Sequence, residues 1–264
     1  MMQRPFIAPL VVTTLAALAL GNVAPGNAAF AVATARAVED LSFDHISFSV
    51  SEPAKAAAWY VKNLGAAPDG TAGVAFGSVR FRFRQAAAAG PSAGSVIDHL
   101  GFGFTSLAAK VDAWRAAGIA PIATPQNAGG LQSTWFQDPW GVRLELLQDE
   151  RPGLHHVHLL ATDRKATLNW LTNSLGGARV SGSGLEMLTF GALSIAVLEV
   201  SQPPVGSASS VIDHLGWTTA NVDDAAALLK RSGVTFTIEP RTTGNLRMAF
   251  IEGPNQLRVE VLQR

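Results

Sequence analysis

The sequence contains no cysteine. That excludes disulfide staples, a thiol nucleophile and any zinc–thiolate site, so the fold must be held by its apolar cores. It also fits an oxidising compartment, where a free thiol is a hazard. Charge is sparse, at 15% of residues, and 20 basic side chains balance 20 acidic ones. With no basic run and no helix-turn-helix or zinc-finger spacing, nothing argues for a nucleic-acid partner. Long apolar runs are lacking too. The stretch from about Pro9 to Leu20 is short for a membrane span. It follows Arg4 and precedes Ala29-Phe30-Ala31 and Ala33-Thr34-Ala35, the layout of a secretory signal peptide. Residues 1–35 are therefore read as a signal peptide and mature N-terminal tail, with an organellar transit peptide as the alternative. A periplasmic or secreted protein, with no membrane association after cleavage, is expected.

What the sequence does have is repetition. VIDHLGFGF (96–104) recurs as VIDHLGWTT (211–219), and VRLELLQ (142–148) as LRVEVLQ (257–263), at a constant offset of 115 residues. Upstream, DHISFSV (44–50) matches HHVHLLA (155–161) at an offset of 111. Residues 41–150 and 153–264 are thus two copies of one domain-sized repeat. Each copy divides again, since DHISFSVSEPAKAAAWYVKNLG (44–65) resembles DHLGFGFTSLAAKVDAWRAAG (98–118). Both read as strand, turn, amphipathic helix and closing glycine, followed by short alternating segments that read as strands. The expected fold is α+β: four βαβββ modules forming two cupped mixed sheets with helices on the outer face. The stretches 86–94 and 201–209, rich in Ala, Gly, Pro and Ser, read as linkers.

Side chains alternate across a strand. Ile46, Phe48 and Val50 suit packing under a helix, which places His45 and Ser47 on the opposite face. The same alternation places His99, beside Gly101 and Gly103, and Glu145 on the face away from the helices. The second copy repeats the set as His156, His214 and Glu260, and the interval from second His to Glu is 46 residues in both. The glycines are expected to leave open space near the histidines. Two imidazoles and a carboxylate suit one divalent ion, Fe, Zn, Ni, Cu or Mn, and leave positions open for substrate. Either His45 meets His99 and Glu145, or it meets His214 and Glu260; both pairings are open. One or two ions per chain follow.

Around these sets the copies differ. Arg80, Arg82 and Arg84 alternate with phenylalanines in copy one, and Arg143 joins them. An anionic ligand is expected there, because guanidinium reads carboxylate and phosphate bidentately. Arg258 is the counterpart of Arg143 in copy two. Copy two adds His158 on the face of His156, a candidate general base, where copy one has Ser47. His155 is expected on the face opposite His156.

On DHISFSV, IDHLGFGF and DPWGVRLELLQ in copy one, and HHVHLLA, IDHLGW and GPNQLRVEVLQ in copy two, the chain resembles the vicinal oxygen chelate superfamily of glyoxalase I, fosfomycin- and bleomycin-resistance proteins and extradiol dioxygenases. The resemblance implies paired βαβββ modules cupped around a metal. It implies His45 or His156, His99 or His214, and Glu145 or Glu260 as ligands, with substrate oxygens on the ion. It implies a metal-dependent isomerase, lyase or oxygenase acting on a small oxygen-rich molecule, which with the signal layout is expected to be exported, as a monomer or homodimer. The alternative is a non-catalytic binder of the bleomycin-resistance type. Glyoxalase-like members take a further Glu from the fourth strand; here that strand offers Arg80, Arg82 and Arg84, or Ser194, Ala196 and Leu198. Extradiol members place a Tyr before the Asp-Pro-x-Gly turn, where this chain has Trp135; its single tyrosine is Tyr60.

Overall fold

The computed structural model describes residues 40–87, 89–123, 126–128, 130–182 and 185–264; the candidate signal segment lies outside them. Four modules follow one another. The first holds β1 (Ser42–Val50), α1 (Pro53–Leu64), β2 (Ala67–Pro68), β3 (Gly73–Phe76) and β4 (Val79–Gln85). The second holds β5 (Ile97–Phe104), α2 (Leu107–Ala116), β6 (Gln126–Ala128), β7 (Leu131–Gln137) and β8 (Arg143–Gln148). The third holds β9 (Gly153–Ala161), α3 (Arg164–Leu175), β10 (Ala178–Gly182), β11 (Leu185–Phe190) and β12 (Leu193–Glu199). The fourth holds β13 (Ile212–Thr219), α4 (Val222–Arg231), β14 (Thr235–Thr243), β15 (Leu246–Gly253) and β16 (Leu257–Gln263).

Local sequence explains the helix ends. Pro53 opens α1 at a position where its missing N–H costs nothing. Gly65 closes it in the left-handed region at φ 71°. Asp163 and Asn221 cap α3 and α4 by accepting backbone N–H groups of the first turn. Apolar alternation places the strands. Ile46 and Phe48 stand level with Phe81 and Phe83 across the parallel β1–β4 pair, and Tyr60 of α1 packs on Phe48, Phe81 and Phe83. All five of these side chains are buried.

The modules pair across the two repeats. One eight-stranded sheet runs β14-β15-β16-β13-β1-β4-β3-β2 and so joins modules one and four; the other runs β10-β11-β12-β9-β5-β8-β7-β6 and joins modules two and three. At the centre of each, two module-opening strands lie antiparallel, β1 on β13 and β5 on β9, flanked by parallel neighbours. The two stretches read as linkers carry the chain between the sheets side by side. Gly90 donates to Ser209 O and accepts from Val211 N, and Val205 donates to Gly94 O and accepts from Val96 N. Of the two open pairings, the structure therefore sets His45 with His214 and Glu260, and His156 with His99 and Glu145.

Candidate metal centres in the two cups

Each central strand pair carries two β-bulges. Phe43 pairs with Trp217 but His45 with Gly216, so Asp44 is the extra residue; on the partner strand the extra residue is Asp213. In the other sheet the extra residues are Asp98 and His155. A bulge interrupts the alternation and re-aims a side chain. Each of these four residues immediately precedes a cup histidine, and the bulge brings the two consecutive side chains together.

The first cup shows the consequence. Asp44 Oδ2 accepts from His45 Nδ1 at 2.8 Å, and Asp213 Oδ1 accepts from His214 Nδ1 at 2.5 Å. Those partners assign the tautomers, leaving each Nε2 as a bare lone pair. The two Nε2 atoms lie 3.3 Å apart, and Glu260 Oε2 lies 3.3 Å from one and 3.4 Å from the other. Three buried acceptors at this spacing repel one another unless a proton or a cation sits among them. Ligand atoms about 2.1 Å from an ion sit roughly 3.0–3.4 Å apart, so the set fits a divalent metal. Burial raises the Glu260 carboxyl; a proton on His214 or His45 would outweigh it and hold the carboxyl low, at about 2, the same pull that a cation among the three groups would exert.

In the second cup, His99 Nε2 and His156 Nε2 are 3.4 Å apart, and each lies 3.5 Å from Glu145 Oε2. Asp98 Oδ2 accepts from His99 Nδ1 at 2.7 Å. Burial pushes the carboxyls of Asp98 and Glu145 up, yet the adjoining His99 leaves both below their usual values. The His156 ring has a different support. Its Nδ1 faces His155 Nδ1 at 2.9 Å, and His155 Nε2 lies 3.2 Å from Asp149. Sequence alternation put His155 on the opposite face; the bulge at that residue overturns this. Burial, then His99, His158 and His155, hold His156 well below its usual value and therefore neutral, as a ligand must be.

The glycines do not leave open space, as alternation suggested. A Cβ on Gly101 would overlap the His156 ring, and one on Gly216 the His45 ring. Each glycine gives up its side chain so that the imidazole from the other repeat can lie across the strand. Gly103 is filled by the Arg151 carbonyl and Asp149.

The arginines sort by cup. Arg80, Arg82 and Arg84 share the face of His45 and Ser47, and carboxylates engage each of them. Arg80 and Arg82 pair with Asp44 at 3.4 and 3.7 Å, and Arg84 pairs with Asp213 at 3.2 Å while donating to Ser47 Oγ. They buttress the aspartates that hold the histidines. Arg258 bonds Asp213 and lies over the Phe250 ring, as Arg143 bonds Asp98 and lies over Trp135. These outer partners orient the ligands. The sequence reading missed the aspartates, although Asp-His recurs at 44–45, 98–99 and 213–214.

A cavity of about 540 Å³ opens on the second cup. His99, Glu145, His156, His158 and Arg143 line its polar end. Leu131, Trp135, Leu147, Leu160, Met187 and Leu198 line the rest. His158 stands opposite His99 across the strand pair, where the first cup has Ser47 opposite His214. Burial, then the neighbouring His99, pushes His158 down to about 4.

Comparison with known proteins agrees with this architecture. The family model described as "Glyoxalase/Bleomycin resistance protein/Dioxygenase superfamily" matches twice, over residues 42–146 and 153–261. Among solved structures, a point mutant of glyoxalase I from Zea mays superposes with a TM-score of 0.65 at 14% identity, covering 87% of this chain and 96% of its own. A dioxygenase candidate from Bacillus subtilis gives 0.59 at 15% identity, covering 84% of each chain. At these identities the likeness is one of fold. No curated protein sequence matches.

Proposed function

The chain belongs to the Glyoxalase/Bleomycin resistance protein/Dioxygenase superfamily, and on that premise we propose that it is an exported metal-dependent enzyme acting on a small oxygen-rich molecule by isomerase, lyase or oxygenase chemistry. The observation that carries this reading is the convergence of His99 Nε2, His156 Nε2 and Glu145 Oε2 at 3.4–3.5 Å on the polar end of a cavity. These three residues would hold a divalent ion, which when bound supplies Lewis-acid polarisation of substrate oxygens.

The chain's own groups define the rest. The cavity is apolar away from the ligands, so it fits a substrate with an apolar body and its oxygens at one end. Arg143, fixed by Asp98 and Trp135 and about one-third exposed, adds a positive charge to the polar end while it holds the aspartate behind His99. The first cup, with its arginines tied to aspartates, supports a second metal in a more polar setting. The alternation of Arg80, Arg82 and Arg84 had suggested an anionic ligand there, and the pairing with Asp44 and Asp213 weakens that expectation. Export rests on Arg4, the apolar stretch 9–20 and the small residues after it.

The test is metal content and turnover together. Protein purified without chelators should carry one to two divalent ions, and a panel of vicinal diols, hydroxyketones and hemithioacetals should include a substrate. Glu145→Gln should lose both an ion and the turnover. Full turnover in metal-free protein would refute the proposal.

A further inference from the structure

The second cup holds more donors than the three that the repeat pattern supplies. His158 Nδ1 lies 3.1 Å from His99 Nε2, as close as two ligands of one ion stand. The donor atoms of His99, His156 and His158 all lie within 4.8 Å of one another. Glu145 stands on the same His99–His156 edge, 3.5 Å from each. Glu145 is not part of that group of three; it meets the His99–His156 edge separately from His158, so an ion held by all four draws the Glu145 and His158 side chains together.

The surroundings of His158 favour a ligand over a structural histidine. No aspartate precedes it; it lies between Val157 and Leu159, both fully buried. Its Nε2 is buried and has no hydrogen-bond partner among the described residues, although its ring lines the cavity. Nδ1 faces only the lone pair of His99, whose own Nδ1 is committed to Asp98. Ser47, the equivalent residue in the first cup, is instead held by Arg84, and among the described residues that cup's donor group is His45, His214 and Glu260.

From this asymmetry we infer that the second cup binds its metal through four protein side chains, His99, Glu145, His156 and His158, whereas the first cup uses three. Three imidazoles and one carboxylate favour Fe, Co, Ni, Cu or Zn over Mg or Ca. In a six-coordinate ion they leave two adjoining positions open, enough for one substrate bound through two oxygens. The inference rests on the proposed metal site and deepens it.

The test uses the full chain with Glu260→Gln and His214→Gln, which silences the first cup. Co(II) is titrated into this parent and into the same chain carrying His158→Gln, with binding followed by calorimetry and by the visible absorbance of the ion. The far-UV spectrum and melting temperature of both proteins establish that the fold survives. The parent is expected to take up one Co(II). His158→Gln is expected to weaken it by about 10- to 100-fold or more, a range already produced by loss of an outer partner alone, and to change the absorbance envelope. A second variant, His158→Ala with added imidazole, is expected to recover the parent spectrum. Equal affinity and an unchanged spectrum in His158→Gln would overturn the four-donor assignment while leaving the metal site standing. No Co(II) uptake by the parent would overturn both.

Discussion

His156 of the second repeat points its Nε2 at His99 Nε2 of the first, 3.4 Å away. The two residues are 57 positions apart and belong to strands that open two modules of different repeats, β5 the second module of the first and β9 the first module of the second. Their meeting follows from the antiparallel pairing of β5 with β9. The same relation, turned over, brings His45 to His214 at 3.3 Å. Neither centre is complete within one repeat.

The aspartates behind the ligands give one prediction. Asp98→Asn keeps the shape but removes the charge that holds His99 Nδ1–H. Metal affinity at the second cup should fall about 10- to 100-fold, and the melting temperature should fall as well, because Arg143 loses the buried carboxylate it pairs with. Calorimetric titration of a divalent ion checks this, and unchanged affinity would show that Asp98 does not orient the ligand.

The glycines under the rings give another. Gly216→Ala places a methyl group where the His45 ring lies. The ring must swing away, because the strand backbone is fixed by pairing on both sides. The expected cost is about 1–3 kcal/mol of stability, as for an overpacked core, with loss of the ion from the first cup only. Gly101→Ala should do the same to His156 and the second cup. Metal content and thermal unfolding of each variant check this.

A buried carboxyl outside both cups sets a pH dependence. Asp138 accepts from Tyr60 Oη at 2.9 Å, from Trp140 N and from Val142 N. Burial nevertheless raises it to about 6. Between roughly pH 4 and 6 the folded state keeps a proton that the unfolded chain has released. Stability from this group is therefore complete below about pH 4 and lost as pH rises through 6, on the order of 2–3 kcal/mol in total. Asp138→Asn should flatten the denaturation midpoint across that window relative to wild type. Parallel pH profiles for the two proteins would contradict the assignment.

Much of this was legible in the residues. The repeats fixed the four modules, and period-two alternation put His45, His99, Glu145, His156, His214 and Glu260 on one face. The pairing of modules was not legible, because β5 and β13 open with the same Ile-Asp-His-Leu-Gly and either could accept β1. The choice shows only in the sheet order, where β1 meets β13 and β5 meets β9 while the two linkers run bonded to each other. His155 was misplaced because a bulge breaks the alternation, and a bulge leaves no mark on a period-two pattern. The glycines were misread as open space because the rings that fill it come from the other repeat. Arg80, Arg82 and Arg84 stand on the expected face, but their partners Asp44 and Asp213 reach it only through bulges.

The most direct measurement of the central claim, that each centre is built across the repeats, is metal stoichiometry in two double variants. Glu145→Gln with His156→Gln strikes one cup in this structure; Glu145→Gln with His45→Gln strikes both. In protein loaded with a divalent ion to two per chain, the first should retain about one ion and the second about none. The reverse result, one ion kept by the Glu145/His45 variant and none by the Glu145/His156 variant, would mean that each repeat closes its own cup and would contradict the account.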